Sequence, residues 1–129
     1  MARLYNIPQR RILMLDDDNK LRTMQGLILA SEGYSVSHAD NGSKAIMLHR
    51  QNPFDLIIAE LGLEDKDGFQ TLMELRRHSA PVRFIAMARE NWLSNDLCLR
   101  MAKHLGAHCV LAKPVPPEQL LAAVRSALD

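Results

Sequence analysis

Residues 11–18 read RILMLDDD, a short and mainly apolar run that stops at three consecutive aspartates. A second run, DLIIA at residues 55–59, stops in a similar way at Glu60. Apolar runs without alternating polar residues are typical of strands that are buried on both faces of a parallel sheet. The two stretches therefore predict central strands of such a sheet, each with acidic residues at its carboxyl end.

Helix-length segments separate these two runs and three further short runs along the chain. We predict strands at Arg11–Leu15, Ser35–Ala39, Asp55–Ala59, Val82–Met87 and His108–Ala112. We predict helices at Lys20–Glu32, from Asn41-Gly42-Ser43 onward, around Phe69, Leu72 and Met73, at Ser94–Gly106, and from Pro116-Pro117 to Leu128. Regular alternation of strands and helices predicts an α/β fold, (βα)5, with helices on both faces of an open, doubly wound parallel sheet.

The apolar residues of the helices are expected to face the core. In the first helix, Leu21, Met24 and Ile28 recur at helical spacing. The seven methionines of the chain are expected to act mainly as core filler. Gly33 is expected to end the first helix, and Gly26 is expected to cost that helix about 1 kcal/mol relative to alanine.

Length and composition restrict the class of protein. The 129 residues carry 16 Lys and Arg against 15 Asp and Glu, a net charge of +1, and 47% of them are hydrophobic. This balance predicts one folded domain, residues 1–129, in which residues 1–10 form a short N-terminal extension. It argues against binding to nucleic acid, and no apolar run approaches the roughly 18 residues needed to cross a membrane. With Cys98 and Cys109 as the only cysteines and no export signal in view, we expect a cytoplasmic location.

Charged residues stand where three of the predicted strands end. Asp16 and Asp17 follow the first strand, Glu60 follows the third and Lys113 follows the fifth. Because the carboxyl ends of parallel strands meet at one edge of a sheet, these side chains are expected to converge on one shallow site. Carboxylate ligands with open positions would suit Mg²⁺. Asp18 is instead expected to cap the helix that follows.

Four stretches together resemble a known family. They are RILMLDDDNKLR at residues 11–22, EGYSVSHADNGSKAI at 32–46, PFDLIIAE at 53–60 with Asp67-Gly68 after it, and LGAHCVLAKPV at 105–115. In this order and spacing the chain resembles the receiver domain of bacterial response regulators, the CheY-like family, from Arg11 to Leu128. The resemblance implies a flavodoxin-like fold with strand order 2-1-3-4-5 and a role in a phosphorelay.

The resemblance also implies a site. In the family, an aspartate at the end of the third strand accepts a phosphoryl group from a phosphohistidine of a kinase. The acidic pair that holds Mg²⁺ corresponds to Asp16 and Asp17, and the backbone carbonyl that completes the metal site corresponds to that of Gly62. The lysine that contacts the phosphoryl group corresponds to Lys113. The bond between this lysine and Pro114 is cis in the family.

This sequence departs from the family pattern at the acceptor and at two further positions. The acceptor position holds Glu60, whose additional methylene moves the carboxylate about 1 Å toward the space of the phosphoryl group. The hydroxyl residue of the fourth strand is replaced at Ala86, or in the next register at Met87, and the aromatic residue of the fifth strand is replaced by Val110. Misplacement on this scale can cost about 100-fold in rate, so we do not expect efficient phosphorylation. Glu60 either blocks transfer, or fills the phosphoryl space permanently and contacts Lys113 as in an active state.

We therefore expect an atypical receiver domain that is not an enzyme and acts through protein–protein contacts, with weak or absent phosphorylation. Its expected partner is a histidine kinase or another signalling protein; no contact with nucleic acid or membrane is expected, and weak homodimerisation stays open. Mg²⁺ binding is expected to be weak, because Lys113 neutralises Glu60 in place of the metal. Glu60 is an additional candidate ligand of the ion.

Two alternative functions stay open. The first is a conventional receiver in which Glu60 or a neighbouring aspartate still accepts the phosphoryl group. The second, more remote, is a small phosphatase that resembles the haloacid dehalogenases. Asp16-x-Asp18 resembles the nucleophile motif of that family, but Lys20 stands where a threonine or valine belongs.

Overall fold

A computed structural model of the chain describes residues 9–61, 68–78, 82–89 and 96–129. The strands are β1 (Arg11–Leu15), β2 (Ser35–Ala39), β3 (Leu56–Glu60), β4 (Phe84–Ala88) and β5 (Val110–Ala112). The helices are α1 (Asn19–Ser31), α2 (Gly42–Gln51), α3 (Gly68–His78), α4 (Asp96–His104) and α5 (Pro117–Leu128). The strands form one parallel sheet in the order β2-β1-β3-β4-β5, which confirms the predicted fold class and strand order. In the described part of the chain, no helix is both long and apolar enough to cross a bilayer.

The sheet separates two hydrophobic cores. One contains Leu13 and Ile57 and is covered by α2, α3 and α4. The other contains Met14 and Ile58 and is covered by α1 and α5. Every residue of β3 and β4 is buried, as expected for strands that are covered on both faces.

Strand ends differ from the prediction by one or two residues. β4 begins at Phe84 rather than Val82, because Phe84 is the first residue that pairs with β3, opposite Ile57. β5 begins at Val110, opposite Ala86. The limits of these strands are set by pairing with the neighbouring strand, which an apolar run does not encode. Ser94, the predicted cap of the fourth helix, lies outside the described residues.

The buried face of α1 is offset from the one that its apolar spacing predicts, because Leu21 and Ile28 are half-buried and Met24 is exposed. Gln25, Gly26 and Leu29 face the core, whereas Met24 is 60% exposed and Leu27 is 67% exposed. The prediction that methionines fill the core is likewise wrong for several of them. Met14 and Met87 are buried, whereas Met24, Met47, Met73 and Met101 are exposed.

Gly26 within α1 and Gly33 just after its end have distinct structural roles. A Cβ on Gly26 would lie 2.6 Å from Cε1 of His38, so the absence of a side chain lets α1 pack closely over β2. This close packing accounts for a residue that weakens an isolated helix. Gly33 has φ of 95° and follows the end of α1, as predicted for a helix stop.

Candidate functional site

The carboxyl ends of β1 and β3, which are neighbouring strands, place two acidic residues next to each other. Leu15 pairs with Ala59, so Asp16 lies beside Glu60 one position further along. Asp16 is 0% exposed and Glu60 is 2% exposed. Because Glu60 is the last residue of β3, its side chain is held by the sheet itself rather than by a loop.

The turn after β1 orients Asp16 and starts α1. The backbone N–H of Asp18 donates to Oδ1 of Asp16 at 2.9 Å, and Oδ1 of Asp18 accepts from the N–H of Leu21 at 3.1 Å. Asp18 is therefore the N-cap of α1, as predicted. Arg22 donates from Nη1 to the carbonyl oxygen of Asp16, and Asp17, unlike Asp16, is exposed.

Helix α3 begins directly against the end of β3. A Cβ on Gly68 would lie 2.5 Å from the carbonyl oxygen of Glu60 and 3.2 Å from its carbonyl carbon. Since backbone cannot move aside easily, any larger residue would push α3 away from β3. Gly68 therefore fixes the distance between this helix and the backbone of Glu60.

Lys113, directly after β5, reaches both buried carboxylates. Its Nζ donates to Oε1 of Glu60 at 2.7 Å and to Oδ2 of Asp16 at 3.0 Å. The lysine side chain is 11% exposed, so the three charges are largely removed from water. Buried charges are tolerated when they are paired in this way. The peptide bond between Lys113 and Pro114 is cis, the isomer that the resemblance implies.

Glu60 has an unusual affinity for a proton. Burial, and next the neighbouring Asp16, raise its pKa from 4.5 to about 7, although Lys113 opposes the shift. Burial by itself lowers the pKa of Lys113, but Glu60 and Asp16 outweigh it, so the lysine pKa is raised overall. Lys113 is therefore a stable cation, while Glu60 exists in both protonation states near neutral pH.

A further residue of the site, Arg89, was not predicted from the sequence. It directly follows β4, and its Nε lies 3.4 Å from Oε1 of Glu60. Its side chain is 66% exposed. Its only sequence signal is a basic residue at the carboxyl end of a predicted strand, as for Lys113, and this signal does not say whether an exposed side chain turns toward Glu60.

Comparison with protein families covers most of the chain. Residues 12–125 match the family described as response regulator receiver domain. The chain belongs to this family. Receiver domains are signalling modules of two-component systems that are generally not enzymes, and they interact with histidine kinases and other signalling proteins.

Related receiver domains occur within longer regulators. The transcriptional regulatory protein GlrR of Escherichia coli (strain K12) is 30% identical over 118 residues, which is 92% of this chain and 26% of GlrR. The transcriptional regulatory protein CpxR of Klebsiella pneumoniae subsp. pneumoniae (strain HS11286) is 34% identical over 119 residues, which is 92% of this chain and 49% of CpxR. The chain thus spans half or less of the length of these relatives.

The fold of this chain is similar to that of a chemotaxis protein of known structure. The Vibrio cholerae protein CheY4 is 25% identical to this chain and has a TM-score of 0.86. The similarity covers 94% of this chain and 100% of CheY4.

Receiver domains typically bind Mg²⁺ at an acidic pocket, and this receiver domain has such a pocket. Asp16, Asp17 and Glu60 each offer an oxygen, and these oxygens lie within 4.8 Å of one another. Oε2 of Glu60 is buried and has no hydrogen-bond partner among the residues that the structure describes, so this carboxylate has an oxygen that none of those residues occupies. Because hard oxygen donors are what Mg²⁺ prefers, these residues fit the ion.

The positions expected to correspond to the switch residues of the family, Ala86 or Met87 and Val110, hold aliphatic or thioether side chains. Met87 is the strand partner of Glu60 and is fully buried, while Ala86 pairs with Val110 of β5. No residue of β4 has a hydroxyl group. Gly62, whose carbonyl is expected to complete the metal site, lies outside the described residues.

Proposed function

We propose that this receiver domain acts mainly through protein–protein contacts in two-component signalling, with weak or no phosphorylation at Glu60. The observation that carries the proposal is the 2.7 Å contact between Oε1 of Glu60 and Nζ of Lys113. A glutamate is one methylene longer than aspartate, and here it reaches the lysine that would otherwise contact the phosphoryl group. The protein's own carboxylate thus takes up part of the space that an incoming phosphoryl group needs.

The protonation of Glu60 supports the same proposal. With a pKa of about 7, a large share of Glu60 carries a proton at neutral pH. A protonated carboxyl is a poor nucleophile. In-line attack also requires reacting atoms at about 3–3.5 Å, and a carboxylate held against Lys113 by a hydrogen bond has little freedom to reach that geometry.

The environment of β4 argues against a conformational response to phosphorylation. A ligand shifts a conformational equilibrium only if it binds one state better than the other. Met87 is the partner of Glu60 on the neighbouring strand, and its thioether cannot donate a hydrogen bond to a phosphoryl oxygen. The contact through which a family hydroxyl would distinguish the two states is missing.

An exposed apolar face on α1 supports action through protein contacts. Met24 and Leu27 stand three residues apart on one side of the helix and are 60% and 67% exposed. Lys20 and Thr23 flank them, and all four line one shallow depression. Exposed apolar patches with polar rims often mark protein interfaces. We take this face, next to the acidic site, as the contact surface for a histidine kinase or another signalling protein.

A double substitution tests the contact surface. Met24→Ser combined with Leu27→Ser is expected to weaken binding of the cognate histidine kinase in calorimetry, while the circular dichroism spectrum stays unchanged. Met47→Ser is the matched control, because Met47 is 49% exposed but lies on α2 over the other core. Equal affinity of the double variant and the control would place the interface elsewhere.

Beryllofluoride, an analogue of the phosphoryl group that binds aspartyl sites together with Mg²⁺, tests the proposal as a whole. In ¹H–¹⁵N correlation spectra, wild type and Glu60→Gln are expected to respond only to the Mg²⁺ that is added. Glu60→Asp restores the acceptor length and is expected to show new resonances around the site. A wild-type response as large as that of Glu60→Asp would favour the conventional phospho-accepting alternative.

A further inference from the structure

Two cations approach one oxygen of Glu60 from different environments. Lys113, 11% exposed, donates to Oε1 from the buried side of the site. Arg89, 66% exposed, places its Nε 3.4 Å from the same oxygen. The lysine is confined by its surroundings, whereas the arginine can leave toward solvent without disturbing the core.

The second oxygen of Glu60 is differently placed. Oε2 is buried and lacks a hydrogen-bond partner within the described part of the chain, and the Glu60 carboxylate belongs to the pocket that Asp16 and Asp17 complete. Three carboxylates against Lys113 and Arg89 leave this site with one net negative charge when all groups are ionised. A divalent cation in the pocket would be attracted by the carboxylates and repelled by the guanidinium of Arg89 beside them.

We propose that Arg89 competes with a divalent cation for the Glu60 carboxylate, so that the metal binds more tightly when Arg89 has turned into solvent. The inference rests on the proposed function, because it treats Glu60 as a ligand group rather than as a phosphoacceptor. Thermodynamic linkage makes the effect reciprocal: bound metal releases Arg89 by the same factor by which Arg89 weakens metal binding. Because Arg89 is mostly exposed, the factor is modest, about threefold to tenfold at low ionic strength.

Calorimetric titration with MgCl₂ tests this competition. Arg89→Ala is expected to bind Mg²⁺ about threefold to tenfold more tightly than wild type, with a smaller gain at high salt. Arg89→Lys keeps the positive charge and is expected to stay close to wild type. Arg125→Ala is the matched control, because Arg125 is also exposed, at 57%, and also forms a single ion pair, 3.5 Å from Glu32.

A second measurement follows the arginine itself. In ¹⁵N spectra of arginine side chains, the Nε–H resonance of Arg89 is expected to shift in step with Mg²⁺ saturation, while that of Arg125 stays in place. Unchanged or weaker Mg²⁺ binding by Arg89→Ala would overturn the competition, and so would the absence of Mg²⁺ binding by every variant. Labelling of wild-type Glu60 by a phosphodonor would instead contradict the proposed function, while the Mg²⁺ titrations would still decide the role of Arg89.

Discussion

Polar side chains lie both where the strands begin (the amino edge of the sheet) and where they end (the carboxyl edge), but they are paired to different degrees. At the amino edge, the backbone N–H of Arg11 donates to Oδ2 of Asp55 at 2.7 Å, and the guanidinium lies 4.5 Å from the ring centre of Phe54. The buried ring of His49 stacks on Phe54 and accepts its backbone N–H at Nδ1, at 3.1 Å. These contacts join the end of α2 to the start of β1 and β3.

At the carboxyl edge, the pairing is incomplete. Asp16 and Glu60 share one lysine, and Oε2 of Glu60 is buried with no hydrogen-bond partner in residues 9–61, 68–78, 82–89 and 96–129. Fully paired polar groups stabilise a fold, whereas an unpaired buried oxygen with a shifted pKa is typical of a functional site. The amino edge therefore has the pairing of a network that stabilises the fold, whereas the carboxyl edge has the incomplete pairing that is typical of a binding site.

The largest effect on stability is expected from Lys113→Ala. It leaves Asp16 and Glu60 buried together with only the exposed Arg89 as a nearby counter-charge, and we expect a loss of about 3 kcal/mol in the free energy of unfolding at pH 8. The loss is expected to be smaller at pH 5, where Glu60 takes up a proton. Urea denaturation at both pH values measures it, with the exposed Lys103→Ala as control. Equal losses at the two pH values would contradict the assignment of Glu60 as the titrating group.

A slightly smaller effect is expected from His49→Ala at the amino edge. The variant leaves the buried N–H of Phe54 without its acceptor, which is expected to cost about 2 kcal/mol at pH 8. Burial, and next the charge of Arg11, lower the pKa of His49 below 6.5. As the pH falls, His49 is protonated in the unfolded state before it is protonated in the folded state. The contribution of neutral His49 to the free energy of unfolding is therefore fully present above pH 6.5 and decreases below it.

The cost of His49→Ala should therefore be smaller at pH 5 than at pH 8. His104→Ala is the control, because His104 is exposed at the end of α4. A cost that grows toward acid pH would show that His49 gains rather than loses proton affinity on folding.

The smallest effect, and one of opposite sign, is expected from Glu60→Gln. Because folding raises the pKa of Glu60 to about 7, the ionised carboxylate destabilises the fold above pH 7, and this penalty disappears as the pH falls toward 4.5. Removing the charge is expected to stabilise the protein by about 1–2 kcal/mol at pH 8 and by little at pH 5. Thermal unfolding measures the difference, with the exposed Glu118→Gln as control. A destabilised Glu60→Gln at pH 8 would make the carboxyl edge a stabilising network like the amino edge.

The order of strands and helices and the meeting of Asp16, Glu60 and Lys113 could be predicted from the sequence. Both follow from a general rule: parallel strands that are connected through helices place all their carboxyl ends at one edge. Residues directly after the apolar runs are therefore brought together at this edge, independently of how the side chains of the core pack. Asp18 could be assigned as a cap for a comparable local reason, because it stands where the first helix begins.

The contribution of Arg89 and the buried face of α1 could not be predicted in the same way. Arg89 is mostly exposed, and whether such a flexible side chain turns toward Glu60 depends on its surroundings rather than on its place in the sequence. In α1, the apolar spacing of Met24 suggested a core face, but close packing against His38 selects the side that carries Gly26. Tertiary contacts of this kind are absent from local periodicity.

The central claim, that Glu60 has replaced phosphorylation with a permanent contact to Lys113, is tested most directly by intact mass after incubation with acetyl phosphate and Mg²⁺. We expect no added mass on wild type or on Glu60→Gln, and an increase of about 80 Da, one phosphoryl group, on Glu60→Asp. An adduct of this mass on wild type that Glu60→Gln abolishes would contradict the claim and make this receiver a conventional phosphoacceptor.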